Sequence, residues 1–162
     1  MRKICLLIAL VLLLCGCGQE QTFETVADEM VLSASAQPRQ VLLTLPDDTL
    51  LPAMETENGT LYLCNGYDVS VQTMESGDLD ATVRQVCGFG SDDITIMQTA
   101  AGDCACYEFV WSAATELGEQ VGRAMILEEG DYHYVVTTVA PAKKAAEYQE
   151  IWNGIFDSFG LA

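Results

Sequence analysis

The chain has 162 residues, half of them apolar, and its 24 acidic side chains against 7 basic ones give a net charge of -17. That length supplies one domain with a sizeable core, and the acidity excludes nucleic acid as a partner, because phosphate contacts depend on Lys and Arg. The same charge repels an anionic lipid surface, so attachment to a membrane requires an anchor rather than a basic face.

Met1, Arg2 and Lys3 make a positive start, and residues 4–14 form an apolar run of signal-peptide length, short of the roughly 20 residues that span a bilayer. Leu14-Cys15-Gly16-Cys17 resembles the lipobox of bacterial lipoproteins, in which a small residue precedes the cysteine that receives diacylglycerol before cleavage. Gly16 matches the small position and Cys17 the acceptor. Cys15 departs from the commonest residue at its place and is itself a poor acceptor behind Leu14. The resemblance implies a lipoprotein signal peptide over 1–16, with palmitate-type chains on Cys17; two or three such chains anchor stably where one is marginal. The alternatives are an ordinary secretory signal or a short buried helix. Loss of Arg2 and Lys3 leaves 24 acids against 5 bases, or -19.

Residues 17–22 are then a lipidated cysteine with a short polar tether, and 23–162 a single α+β domain outside the cytoplasm. Gly18 supplies no Asp retention signal, so the outer membrane is the expected address in a two-membrane cell. Residues 33–38 are rich in small side chains and read as a loop. A strand is predicted over 41–45, closed by Pro46-Asp47-Asp48. Two more, over 53–57 and 60–64, flank Asn58-Gly59, a pair that suits a type I′ hairpin turn. Asn58-Gly59-Thr60 also matches a glycosylation sequon, but in a bacterial lipoprotein it reads as the turn.

A strand over 68–74 leads to a helix with Ser76 as N-cap and Asp78 and Asp80 in its first turn, where acids complement the helix dipole. Leu79, Val83 and Val86 form its apolar stripe, and Gly88 ends it. Strands follow over 94–99, 105–111, 121–128 and 132–139, with turns at Ala101-Gly102-Asp103 and Glu129-Gly130-Asp131 and a longer connection over 112–120. After Pro141 a helix runs from Lys143 to about Phe156, with Tyr148, Ile151, Trp152, Ile155 and Phe159 on one side. The pattern gives an α+β fold, an antiparallel sheet with two helices packed on it.

Tyr132-His-Tyr-Val-Val-Thr-Thr-Val139, a helix near Lys143 and the closing Ile155-Phe-Asp-Ser-Phe-Gly-Leu161 resemble the tail of PsbP-like domains, a fold shared with the Mog proteins that bind the Ran GTPase. The motif covers about the last 30 residues, and the rest agrees by element order. The resemblance implies a PsbP-like sandwich and no particular function, because the fold hosts unrelated roles. Neither the photosystem-binding nor the Ran-binding surface transfers residue by residue.

Cys64, Cys87, Cys104 and Cys106 are an even set in an oxidising compartment, so at least one disulfide is expected, with three full pairings open. A helix about 15 Å long returning beside the strand over 68–74 would bring Cys87 near Cys64, which favours that pair. Cys104 and Cys106 then remain, two apart on a strand and on one face, where a bond between them is strained and easily reduced. They are either a redox or metal-linked pair, or else are plainly buried or form a structural bond; no His or third Cys stands at ligand spacing.

His133 is the single histidine, so a His-based metal cluster is excluded and a Ser-His-Asp set would have to form around it alone. No nucleophile elbow, phosphate loop or dinucleotide fingerprint occurs. Asp92-Asp93 and Glu128-Glu129 with Asp131 offer oxygens to Ca²⁺ but lack the alternating spacing of a calcium loop. Tyr62, Tyr67, Tyr132 and Tyr134 are candidates for a recognition face or for packing. The sequence therefore reads as a lipid-anchored interaction or binding domain without catalytic residue, cofactor or metal, which binds an envelope or surface protein or a ligand. The alternative is a thiol redox or metal-linked protein using Cys104 and Cys106.

Overall fold

A computed structural model describes residues 37–47, 49 and 52–162. The predicted leader, Cys17, the tether and most of the loop at 33–38 lie outside these residues. The unit described here belongs to the span Ala36–Ala162.

The strands are β1 (Val41–Leu42), β2 (Pro52–Thr56), β3 (Gly59–Leu63), β4 (Asp68–Glu75), β5 (Ile96–Ala101), β6 (Cys104–Thr115), β7 (Gly118–Glu129), β8 (Tyr132–Pro141) and β9 (Gly160–Leu161). Helix α1 (Leu79–Cys87) lies between β4 and β5, and α2 (Gln149–Ser158) between β8 and β9. Seven strands form one antiparallel sheet in the order β2-β3-β4-β8-β7-β6-β5, and β1 pairs with β9 in a separate two-stranded ladder. The long central strand β8 is buried from His133 to Thr138 without interruption. A strand buried on both faces must be covered on both faces.

Alternation along the strands assigns the two covers. Val69, Cys106, Leu127, Tyr134 and Val136 pack with Trp152, Ile155 and Phe156 of α2. Their neighbours in the opposite phase, Phe109, Ala124, Ile126 and Val135, pack with Val83 of α1. Successive strand residues point to opposite faces, so one helix lies on each side of the sheet. Each fully buried aliphatic or aromatic side chain on either face contributes on the order of 1.5–3 kcal/mol relative to exposure.

Local chemistry explains where the elements begin and end. The N-cap of α1 is Asp78, whose carboxylate accepts from the Asp80 N–H at 3.2 Å, rather than the expected Ser76. Ser76 instead closes the sheet end, its N–H donating to the Asp131 carbonyl at 2.6 Å. Gly88 ends α1 at φ 81, as expected of a left-handed cap.

The hairpin between β2 and β3 turns at Glu57-Asn58, one residue earlier than the expected Asn58-Gly59 centre, because Thr56 pairs with Gly59. The expected long connection over 112–120 is instead a two-residue turn at Glu116-Leu117. Pairing continues to Thr115 with Gly118, and Gly118 takes φ 106 at the turn. The strand expected over 41–45 keeps only Val41–Leu42 in a ladder, since the Thr44 N–H turns to Ser158 Oγ at 2.9 Å. The last helix opens with a 3-10 turn over Ala145–Tyr148 before α2 proper.

Candidate functional site

Polar chemistry concentrates where α1 meets the sheet. His133 of β8 is 0% exposed, and its Nδ1 lies 2.7 Å from Thr82 Oγ1 of α1. Its register partner on β7 is Glu128, whose Oε1 lies 3.9 Å from Nε2, while the Tyr107 hydroxyl donates to Glu128 Oε2 at 2.7 Å. The carboxylate beside Nε2 favours the tautomer protonated there, and the Thr82 hydroxyl then donates to Nδ1. Burial pushes the His133 pKa down, opposed by the Glu128 charge. The hydrogen bond to Glu128, reinforced by burial, pushes the Tyr107 hydroxyl up.

Tyr107–Glu128 and His133–Thr82 are two hydrogen-bonded pairs that adjoin at the 3.9 Å approach of Glu128 to His133 Nε2, a buried atom that makes no hydrogen bond there. Thr82 is 5% exposed and His133 fully covered, so the set joins α1 to the sheet. A sequence reading missed it because His133 and Glu128 meet only through the β7–β8 register.

The described ion pairs tie each arginine to a carboxylate. Arg39 meets Glu129 at 2.8 Å, Arg84 meets Asp80 at 2.7 Å and Arg123 meets Glu108 at 2.7 Å. Arg123 also stands 4.3 Å over the Phe156 ring and donates to Asn153 Oδ1, which fastens α2 to the sheet. The Asp80 pKa falls to about 2, chiefly because its carboxylate accepts the Ser91 N–H and also receives Arg84 and the Ser91 hydroxyl.

The four cysteines form no disulfide among themselves. The expected Cys64–Cys87 bond fails for a geometric reason. Cys64 packs with the α2-side cluster and Cys87 with the α1-side cluster, on opposite faces of the sheet. Helix length was the right guide to how far α1 runs but said nothing about the face it covers. Cys64 Sγ lies 3.9 Å from Thr49 Oγ1, and the Cys87 thiol donates to the Val83 carbonyl at 3.1 Å. Cys104 and Cys106 do share one face, as expected, at 7% and 4% exposure. Burial pushes the Cys104 thiol up, away from the thiolate that redox or metal chemistry uses.

The candidate calcium oxygens do not converge. Glu128 points to Tyr107 and His133, and Glu129 points to Arg39 on the other face. Asp92 and Asp93 sit in a 3-10 turn (Ser91–Asp93) before β5. Among the described residues no three His, Cys, Asp or Glu side chains gather as a metal site. The tyrosines serve packing: Tyr67 and Tyr134 are buried, and Tyr62 and Tyr132 pack against the same α2-side core. A groove of about 850 Å³ passes the β2–β3 hairpin, lined by Met54, Leu61, Gln72 and Met74 of the sheet, Gln85 of α1 and Tyr132. Its lining also carries the hydroxyls of Thr60, Ser70 and Thr73 and the carboxylates of Glu57 and Glu75.

A protein from Bacteroides thetaiotaomicron shares the fold at a TM-score of 0.51 and 12% identity over 75% of this chain. Cyanobacterial PsbP from Synechocystis matches at 0.54 and 7% identity, over 78% of this chain and 95% of its own. The Ran-binding protein Mog1p of Saccharomyces cerevisiae matches at 0.53 and 9% identity, over 75% and 89%. The fold is PsbP-like. The chain spans less than half, 45%, of the Bacteroides structure. No protein-family model and no curated protein matches the sequence. At these identities the PsbP-like likeness establishes architecture alone.

Proposed function

We propose that this chain is an extracytoplasmic lipoprotein, anchored through Cys17, whose PsbP-like domain binds another envelope or surface protein without catalysing a reaction. The observation that carries the binding reading is the burial of its single histidine. His133 is 0% exposed and held by Thr82 at 2.7 Å, with Glu128 3.9 Å away, so the side chain most suited to proton transfer at neutral pH lies buried where α1 meets the sheet. The Ran-binding role of Mog1p on the same fold supports a protein-binding use of such a surface. The basic start, the apolar run at 4–14 and the Leu14-Cys15-Gly16-Cys17 box support the anchor.

The anchor is tested by metabolic labelling with an alkyne fatty acid and by detergent phase partition. Wild-type protein takes up the label and enters the detergent phase, and Cys17→Ser does neither. Equal partition of the two proteins would remove the lipid anchor from the reading. Site-specific photo-crosslinking on intact cells tests the partner, and a domain that joins no protein from any exposed position on the sheet or helices is not an interaction module.

A further inference from the structure

The two edges of the large sheet are guarded differently. β2 begins at Pro52, carries Glu55 and shifts register between Pro52 and Met54. Proline, charge and bulges each obstruct the addition of another strand. β5 at the opposite edge reads Ile96-Met97-Gln98-Thr99-Ala100-Ala101, with no proline, charge or register shift, and pairs only with β6 among the described residues.

The hairpin fixes which backbone groups face outward. Gly102 has φ 64 and Asp103 a negative φ, the pattern of a type II′ turn. Ala101 and Cys104 are then a hydrogen-bonded pair, and alternation directs the N–H and C=O of Ile96, Gln98 and Ala100 away from β6. On the α2 side of this edge, Met97 is 57% exposed, and Val110 of the next strand, diagonal to it past Glu108, is 56% exposed.

Charge selects the occupant. Asp92 and Asp93 stand just before β5 and Asp103 just after it, and the described arginine ion pairs engage none of them. A second copy pairing antiparallel through β5 would set Asp92 and Asp93 against the other copy's Asp103, acid on acid. A strand of six residues spans about 20 Å, so the acidic ends act separately on a strand laid alongside, each within about one Debye length.

The geometry points to β5 as a strand-addition site for an extended segment of another protein, apolar at alternate residues and carrying Lys or Arg at both ends. Backbone hydrogen bonds supply the attachment, Met97 and Val110 receive the apolar side chains, and the flanking aspartates set the charge pattern. The inference rests on the interaction reading in needing a protein partner, and it does not depend on the lipid.

The test mixes the full-length protein in detergent with a synthetic peptide of alternating valine and threonine that has two lysines at each end. Backbone amide exchange at Ile96, Gln98 and Ala100 slows about tenfold, the effect weakens with added salt, and a glutamate-ended peptide gives none. Gln98→Pro removes one outward N–H and abolishes the protection; Met97→Lys weakens it if the proline variant fails to fold. Equal protection by the glutamate-ended peptide overturns the proposal, as does protection elsewhere in the sheet. Protection of β5 without peptide also overturns it, by a second copy where it rises with concentration and by the chain's own residues where it does not. Photo-crosslinkers placed at Gln98 and at the remote, exposed Leu117 separate the two readings in cells. Partner capture from Leu117 and not Gln98 refutes this site while binding stands; capture from neither refutes this site too, and the interaction reading falls only when no exposed position captures a protein.

Discussion

Ile155 and Ile151 sit one turn apart on α2, yet Ile155 is 1% exposed and Ile151 37%. Replacing each by alanine makes the same gain in helix propensity, so the difference between the two variants isolates burial. Ile155 packs among Trp152, Phe156 and the sheet residues beneath, in a place that water does not reach. Its removal costs the lost transfer energy and leaves a cavity, together about 2–5 kcal/mol. At Ile151 solvent fills the vacated space, and the cost is about 1 kcal/mol or less. For a domain of this size 1 kcal/mol moves the midpoint by roughly 4 °C, so Ile155→Ala melts about 8–20 °C low while Ile151→Ala stays within about 4 °C of the parent. Urea unfolding followed by tryptophan fluorescence gives the same ordering in free energy. Equal losses for the two variants would refute the docking of α2 through this face.

The polar junction under α1 makes two further predictions. Thr82→Val leaves His133 Nδ1 buried without its 2.7 Å partner and costs about 1–3 kcal/mol in chemical denaturation; a Thr82→Val/His133→Gln cycle that shows no coupling refutes the contact. Burial lowers the His133 pKa in the folded state, so the unfolded chain binds the proton more readily as pH falls below the ordinary histidine value of about 6.5. Stability is therefore full above that value and declines toward the lower folded-state pKa; His133→Gln, measured over the same range, loses this part of the slope. On the same side of the sheet, Trp111 lies across Gly122, and a Cβ there would overlap the indole. Gly122→Val costs about 1–3 kcal/mol by overpacking and shifts Trp111 emission toward that of a solvated indole, and unchanged emission would contradict the packing.

Local signals carried far in this sequence, and they failed where a tertiary partner decides. The stripe Leu79-Val83-Val86 and the Gly88 stop were legible because helix period and left-handed capping are local physics. The 12-residue strands β6 and β7 were cut short because Ser112, Ala113 and Ala114 carry weak strand propensity, and cross-strand pairing with Val121, Gln120 and Glu119 overrides it. The displaced N-cap has a similar origin: Ser76 and Asp78 are both good caps, and the Ser76 hydroxyl is taken by the Gly130 carbonyl, 54 residues away in sequence. The cysteine pairing was illegible because sequence spacing gives the length of α1 and not the face it covers. The open edge at β5 was illegible for a related reason, since being an edge is a property of strand order and no strand states its neighbours.

Acidity and strand order together narrow what the domain meets. The described arginines are each held by a carboxylate, and the described ion pairs include neither Lys143 nor Lys144. Those two lysines are adjacent, just after Pro141 and ahead of α2, so among the described residues the arginine and lysine charge outside ion pairs is confined to one short stretch. Elsewhere the field is negative, and it acts on two kinds of neighbour in opposite senses. An anionic bilayer is repelled, so attachment to one would rest on the proposed lipid on Cys17. A cationic segment is drawn in, faster at low salt than at high. Attraction alone would hold such a segment against any acidic patch. An uncharged strand with outward N–H and C=O groups between two acidic ends fixes direction and register as well, and it does so at β5 and not at β2, where Pro52, Glu55 and the bulge obstruct the ladder.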